Sequence, residues 1–368
     1  MNESGSPRFA LFNASYLLER KKLSDTPKEI LAFLKEAADK QLSSPHFSVT
    51  DRKIKAPSGN PQDYASIGPY WWPNPDTKDH LPYVKRDGYF NPDSKDQISI
   101  SNLSSRLQTL ALAEFYFGGG EYAKCAERQL YVWFLDEKLK MNPHARYAQA
   151  VPGKCEGRGI GIIDFHPNIE LLDAVMLLEW MCAISDGVAS GVKEWYSAFT
   201  DWLLSSEIGI SADNQPNNHG SWFDAHVLAL SLYLGRENLT ARVLRTSYEQ
   251  RQLRQYKENG EQPMELRRES AITYSCFNLS ASLIIAKIAK ECGDLRYTES
   301  GVLEKAADYI ASFKGRMNEF PYSEIHAETA FHLLPFCYRL LDRIYPDKNY
   351  AEKSEKHTES FGLWQLYL

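Results

Sequence analysis

The chain has 368 residues, of which 43% are hydrophobic and 24% charged, an ordinary globular balance that can fill a sizeable core. Its formal net charge of -6 and the lack of a lysine and arginine stripe argue against nucleic-acid binding, and no apolar run reaches membrane-spanning length. The 8 tryptophans, 21 tyrosines and 17 phenylalanines suit a filled core, and such rings also stack on sugars.

Helical periodicity dominates the chain. The first predicted helix begins near the cap candidates Asp25 and Thr26 and buries Leu31, Leu34 and Ala38 along one face. Further helices are expected at about 100–117, 121–137, 168–184, 188–206, 219–234, 237–257, 268–292, 298–314 and 326–344. Alternating β-patterned runs are nearly absent. We therefore predict an all-α chain of helical hairpins stacked around an axis.

Two segments break the helical pattern. Residues 43–97 are dense in proline, glycine, aspartate and aromatic residues, and they contain PYWWPNP; residues 141–167 form a second, glycine-rich crossing. Segments this long without helices or strands are usually functional or disordered, and the aromatic residues argue against disorder. We predict one domain over residues 1–368 with two elaborate surface loops, the first of them lid-like at about 56–97.

The segment NQPNNHGSWFDAH, residues 214–226, places a turn directly before an apolar helical run. Asn217 and Asn218 favour a turn, and His219 follows at the expected helix start, three residues before Trp222. An asparagine cap with an incidental histidine explains this pattern as well as a functional site does. The functional interpretation is that amide and imidazole groups face a cleft.

The segment EQPMELRRESAITYSCF, residues 261–277, carries Glu265, Arg267, Arg268 and Tyr274 at the start of an apolar helix. An arginine and a tyrosine six or seven residues apart lie about two helical turns apart on nearly the same face. Paired arginines can clamp a carboxylate through bidentate hydrogen bonds. The competing interpretation is a solvated charge cluster followed by a core tyrosine.

Three motifs together resemble the alginate lyase superfamily: NNH-x-x-W, the later Glu-Leu-Arg-Arg…Tyr segment, and the upstream YASIGPYWWPNP. That superfamily includes polysaccharide lyase family 5 and the related family 38, and the PYWWPNP loop looks closer to family 38. The resemblance covers roughly residues 25 to 345. It implies an (α/α) toroid or incomplete barrel with a cleft across its top, and β-elimination of alginate or glucuronan.

The resemblance also implies residue roles. His219 and Tyr274 match the family's catalytic pair, and Arg268 matches the arginine that neutralises the substrate carboxylate, with Arg267 in reserve. No lysine matches the lid lysine of family 5. Further substrate contacts are expected from Asn217, Asn218, Trp222, Glu265, Arg158, His166, Tyr70, Trp71 and Trp72.

Two other functions remain open from the sequence. One is an inverting glycoside hydrolase on a similar barrel, with Glu265, Asp224 or Asp164 as its carboxylates. The other is a non-catalytic protein that binds acidic polysaccharides. The expected partner of the lyase is an acidic polysaccharide, with no nucleic acid and no membrane. The six cysteines show no zinc-like spacing, so we expect no metal and no cofactor. A periplasmic or secreted location is expected.

Overall fold

The computed structural model describes residues 6–22, 28–358 and 362–368, and most of them are helical. The chain divides into two compact units. Unit 1 comprises Met1–Ala212, Ala229–Arg236 and Gln365–Tyr367, and unit 2 comprises Asp213–Leu228, Glu237–Trp364 and Leu368. The expected all-α class is confirmed, and the single domain over residues 1–368 stays a prediction. The cap candidates Asp25 and Thr26 lie outside the described residues.

Two long segments, residues 44–99 and 131–167, separate some of the helices, and the other connections are shorter. Those before the boundary between the units are α1 (Ala14–Lys22), α2 (Lys28–Ser43), α3 (Ile100–Phe117), α4 (Glu121–Leu130), α5 (Asn168–Trp180), α6 (Asp186–Ser205) and α7 (Glu207–Asp213). Helix α8 (Asn218–Leu234) begins in unit 2 and ends in unit 1. Unit 2 continues with α9 (Glu237–Ser247), α10 (Leu253–Gln255), α11 (Ala271–Glu291), α12 (Arg296–Glu299), α13 (Val302–Ala311), α14 (Leu334–Ile344) and α15 (Tyr350–His357).

Helix α3 organises the core of unit 1, where it packs against α2, α4 and α5. Its start is capped by Ser99, whose side chain accepts a hydrogen bond from the Asn102 N–H, and it ends at Gly118 with φ of 68°. That positive φ suits glycine, which lacks a Cβ. The three consecutive glycines at positions 118–120 therefore end the helix at the predicted position.

The two long segments of unit 1 pair with one another. Strand β1 (Ala65–Ile67) lies parallel to β4 (Tyr147–Ala150), while β2 (Trp71–Trp72) and β3 (Val84–Lys85) form an antiparallel pair. Asp164 fastens this arrangement, because its carboxylate accepts hydrogen bonds from the Tyr64 hydroxyl at 3.1 Å, from Gln149 Nε2 at 2.8 Å and from the Ser66 hydroxyl. Strands of two to four residues are too short for a detectable alternation.

Several predicted helix boundaries are wrong. The helices expected at 121–137 and 237–257 pass into π-helical turns at Tyr131–Leu135 and Tyr248–Gln252. The helix expected from residue 326 begins only at Leu334, and residues 327–333 form turns. Pro335 explains this start, because proline has no N–H to donate and fits the first helical turn.

Helix α11 is the central helix of unit 2 and packs against α13 and α14. It is long and apolar enough to cross a membrane by length and composition, so the expectation that no run reaches this length is wrong. However, 83% of its most apolar window is buried inside the protein. The helix therefore has the surroundings of a core helix, and its first turn carries Tyr274.

Gly220, in the first turn of α8, has no room for a side chain. A Cβ there would lie 2.1 Å from the Gln215 carbonyl oxygen and 2.8 Å from Arg251 Cζ. We expect Gly220→Ala to destabilise the protein by about 1–3 kcal/mol through overpacking. The control is Gly187→Ala in α6, where a Cβ meets nothing within 4 Å, so the alanine should be neutral or stabilising by up to about 1 kcal/mol. Urea unfolding measures both, and equal effects would contradict the steric argument.

Candidate active site

The start of α8 is fixed by one buried carboxylate. The Asn218 main-chain N–H donates to Glu265 Oε1 at 2.8 Å, and Asn218 Nδ2 donates to Glu265 Oε2 at 2.7 Å. Each of these two residues is only 1% exposed. The neighbouring His219 is half-buried, and its N–H donates to Asn217 Oδ1 at 3.3 Å. Glu265 therefore orients the residue that precedes the candidate catalytic histidine.

Burial also controls the charge of this carboxylate. Desolvation raises the pKa of Glu265 to about 7, against the opposing effects of the two Asn218 hydrogen bonds and the Arg268 charge. Because both of its oxygens are occupied by Asn218, the geometry favours a positioning role for Glu265. Direct substrate contact by Glu265 stays a prediction.

Arg268 and Tyr274 are in direct contact. The guanidinium carbon of Arg268 lies 3.7 Å from the centroid of the Tyr274 ring, a short cation–π distance. Both side chains are half-buried, whereas Arg267 is exposed. Tyr274 lies at the start of α11, where its N–H donates to the Ser270 carbonyl. Of the two arginines that the sequence offers, the geometry thus favours Arg268 as the partner of the tyrosine.

A buried ion pair joins α8 to the π-helical turn at Tyr248–Gln252. Arg251 Nε contacts Asp224 Oδ2 at 3.1 Å, and Arg251 Nη2 donates to the Asp213 carbonyl oxygen at 2.5 Å. Burial raises the pKa of Asp224 to about 7, although the Arg251 charge opposes this shift. Arg251 and Asp224 are 27 residues apart, so no spacing motif could reveal the pair.

Trp222 is buried, and its ring packs 4.8 Å from the ring of Phe277. This contact joins α8 to α11 within unit 2. Packing therefore accounts for Trp222, and its expected contact with substrate stays a prediction.

In unit 1, the two tryptophans of strand β2 make cation–π contacts. Lys154 Nζ and Arg158 Cζ lie 4.5 and 5.6 Å from the centroid of the Trp71 ring. Arg86 Cζ lies 5.3 Å from the centroid of Trp72. The structure thus has Lys154 and Arg158 against the ring of Trp71, and Arg86 against the ring of Trp72. Such a cluster combines flat rings with positive charge.

The remaining expected contacts in unit 1 have protein partners of their own. The Tyr70 ring lies 5.0 Å from the Phe90 ring. Arg158 Nε donates to the Gln149 carbonyl at 2.8 Å, and burial lowers the pKa of Arg158. His166 Nδ1 donates to the Ile163 carbonyl at 2.8 Å, and burial lowers the pKa of its imidazole. Their roles towards substrate stay predictions.

The carboxylates considered for hydrolysis are all held by neighbouring groups. Asp164 accepts from three side chains, Asp224 pairs with Arg251, and Glu265 holds Asn218. An inverting hydrolase needs one carboxyl group to protonate the leaving oxygen and another to activate water. The geometry therefore does not support the hydrolase alternative. Within the residues that the structure describes, no group of three or more metal-ligating side chains could hold a metal ion.

Comparison with known proteins identifies the family of the chain. The family model described as alginate lyase matches residues 48–320. The solved structure of an alginate lyase from Bacteroides ovatus matches at 33% identity and a TM-score of 0.90, over 96% of this chain and 97% of that one. Alginate lyase A1-III from Sphingomonas species A1 matches at 15% identity and a TM-score of 0.42, over 93% and 82% of the two chains. No curated protein sequence gives a match.

The helical fold and the family match define the chain as a polysaccharide lyase. It belongs to the alginate lyase family, because the match spans well over half of the chain. The resemblance drawn from the sequence motifs is thereby confirmed. The non-catalytic alternative is correspondingly not supported.

The contact between Arg268 and Tyr274 predicts unequal roles for the two arginines. Arg268→Ala should lower kcat and kcat/KM together, by roughly 10²–10³-fold, because the guanidinium acts on charge that develops in the transition state. Arg268→Lys should restore little, since a point charge does not reproduce a planar fork. Arg267→Ala should change mainly KM and its salt dependence. Steady-state kinetics decides; a larger kcat loss for Arg267→Ala would reverse the assignment.

Glu265→Gln tests whether the hydrogen bonds between Glu265 and Asn218 support catalysis. The new amide group must face one of the two Asn218 donors, so about 1–3 kcal/mol of interaction is lost and kcat should fall roughly 10–100-fold. Steady-state kinetics and the melting temperature, measured together, separate this loss from unfolding. Unchanged kcat in a folded Glu265→Gln variant would contradict the positioning role.

The same variant tests the raised pKa. Between pH 4.5 and about pH 7, which are the ordinary and the raised pKa of Glu265, the folded protein keeps a proton on this residue that the unfolded chain has released. Glu265 therefore makes the protein less stable as the pH rises through this window, by about 3 kcal/mol in all. Urea unfolding at pH 4 and pH 8 should show this extra loss in the wild type relative to Glu265→Gln. Parallel pH profiles would refute the shift.

Proposed function

We propose that this lyase cleaves a polyuronate, either mannuronate-rich alginate or glucuronan, by β-elimination across C4 and C5, leaving an unsaturated uronate end. The main support for this proposal is the contact between Arg268 and Tyr274, in which Arg268 Cζ lies 3.7 Å from the centroid of the tyrosine ring. Family membership and the name of the 33% identical structure support alginate as the first polymer to test.

The first chemical requirement is to neutralise the substrate carboxylate. The proton at C5 is very weakly acidic while the adjacent carboxylate is ionised, because that group must accept the developing negative charge. We assign Arg268 and His219 to this carboxylate, as charge-assisted donors. Asn218 has a second amide hydrogen for the same group, and Glu265 orients its side chain.

The second requirement is a base that reaches C5. A free tyrosine has a pKa near 10, so its ionisation at pH 7 costs roughly 4 kcal/mol. A guanidinium against the Tyr274 ring lowers this cost by favouring the phenolate, which then accepts the C5 proton. The elimination uses side chains alone, without a metal or cofactor.

Stereochemistry then limits the sugar. In mannuronate and glucuronate the C5 proton and the C4 oxygen lie on the same side of the ring, so Tyr274 can take the first proton and return it to the leaving oxygen. Guluronate presents the two groups on opposite sides and requires a second group, for which His219 is the candidate. Polymannuronate and glucuronan are therefore the expected substrates.

Unit 1 contributes binding in this proposal. Trp71 and Trp72 offer ring faces, while Lys154, Arg158 and Arg86 offer charges to the carboxylates of the polymer. Because such a substrate is a long anionic polymer, we also propose a periplasmic or secreted location.

Product analysis with Tyr274→Phe tests the function. Wild-type protein is incubated separately with polymannuronate, polyguluronate and glucuronan, and polymannuronate or glucuronan, rather than polyguluronate, should give a product whose unsaturated uronate absorbs in the ultraviolet. Tyr274→Phe should lower kcat by roughly 10³-fold with little change in KM, because only the proton transfer is lost. New reducing ends without absorbance would indicate hydrolysis. A variant that keeps more than about a tenth of the activity would exclude Tyr274 as the base.

A further inference from the structure

A chain of buried side-chain amides runs between the two segments of unit 2 that carry the candidate catalytic residues. Its members are Gln255 at the end of α10, Asn278 in α11, and Gln262 in the turn before Glu265. They are 3%, 0% and 2% exposed, respectively. Neither a motif nor a spacing in the sequence singles them out.

Gln255 binds the turn on both sides of His219. Its Nε2 donates to the carbonyl oxygens of Pro216 at 3.0 Å and Asn217 at 3.2 Å. Its Oε1 accepts from the Ser221 hydroxyl at 2.8 Å. One side chain therefore fixes the main chain before the histidine and a side chain after it.

Asn278 and Gln262 extend this chain of hydrogen bonds to α11. Asn278 Nδ2 donates to Gln255 Oε1 at 3.0 Å and to Gln262 Oε1 at 2.8 Å. Gln262 Nε2 in turn donates to the Ser275 carbonyl oxygen at 2.9 Å, one residue after Tyr274. The hydrogen bonds are thus continuous from the turn before α8 to the start of the helix that carries the candidate base.

The physical chemistry of buried amides makes such a chain stiff. A buried amide oxygen or NH2 group that faces a like group costs free energy, and reversing any of these amides would leave donors facing donors or acceptors facing acceptors. The chain therefore has one favourable arrangement, and that arrangement fixes the spacing between the turn and α11.

We propose that Gln255, Asn278 and Gln262 are positioning residues for the elimination. They act on the reaction only through His219 and Tyr274, whose relative placement they set. This inference rests on the proposed function, because it assumes that these two residues cooperate in catalysis.

The variant Gln255→Glu nearly preserves shape but replaces the donor group by a carboxylate oxygen that faces two carbonyls. We expect kcat to fall about 10-fold or more with a much smaller change in KM, because a misplaced His219 affects the transition state more than binding. As the pH falls, the buried carboxyl group protonates and can donate one hydrogen bond. The ratio of wild-type to variant kcat should therefore shrink towards acidic pH.

Gln252→Glu is the matched control. Gln252 is buried three residues earlier, and its Nε2 donates to the Tyr297 carbonyl at 2.8 Å, outside the amide chain. The control thus makes the same exchange and loses the same kind of hydrogen bond. We expect a comparable loss of melting temperature with kcat retained. If both variants lose kcat in proportion to melting temperature, the inference is overturned.

A second readout does not depend on turnover. Nitrogen NMR reports the imidazole of His219, whose signal is identified by its loss in His219→Gln. We expect Gln255→Glu to shift this signal and Gln252→Glu to leave it in place. If the wild type releases no unsaturated product, the proposed function is wrong. The NMR signal then still shows whether the amide chain positions His219. If the wild type forms product but kcat and the His219 signal are unchanged in Gln255→Glu, the positioning role of the amide chain is overturned and the proposed function stands.

Ser221→Ala covers the case in which Gln255→Glu does not fold. It removes only the hydrogen bond from Ser221 to Gln255 and leaves the other partners of the amide in place. We expect the same two readouts to change in the same direction, by a smaller amount. A folded Ser221→Ala variant with wild-type kcat and an unshifted His219 signal would also overturn the inference.

Discussion

A carboxylate buried in unit 2 joins the helix start that carries His219 to the turn that carries Arg268. Glu265 accepts both the main-chain and the side-chain hydrogen of Asn218, and its own carbonyl accepts the Arg268 N–H at 3.0 Å. A buried carboxylate without such donors would cost several kcal/mol, so the folded state requires these contacts. The candidate catalytic groups are therefore placed by the same hydrogen bonds that make the burial of Glu265 possible.

The cations named around the candidate residues occur in two different settings. Arg251 lies against the carboxylate of Asp224, which cancels much of its charge and makes it a structural group. Arg268 lies on the Tyr274 ring, and Trp71 has cations near its face. A cation–π contact with a ring face restricts where a guanidinium lies. Contacts of the second kind suit a protein whose proposed ligand has a carboxylate on every sugar.

Helix positions were largely predictable, while helix ends and strand pairs were not. The apolar periodicity behind α3 and α11 comes from local spacing, which any long buried helix shows. By contrast, the pairing of β1 with β4 joins residues about eighty positions apart through strands of three and four residues. Such short strands are stabilised by tertiary contacts such as those of Asp164, and local sequence does not encode them.

The all-α class, the family and the motifs around His219 and Tyr274 could be predicted from the sequence, because these depend on residue types at short, fixed spacings. Which of two adjacent arginines contacts the tyrosine depends on the folded chain, since neighbouring residues point in different directions. The folded chain also brings Glu265 to Asn218 across 47 residues and Gln255 to the turn. Hydrogen bonds between distant segments arise only when packing brings them together, so no local pattern announces them.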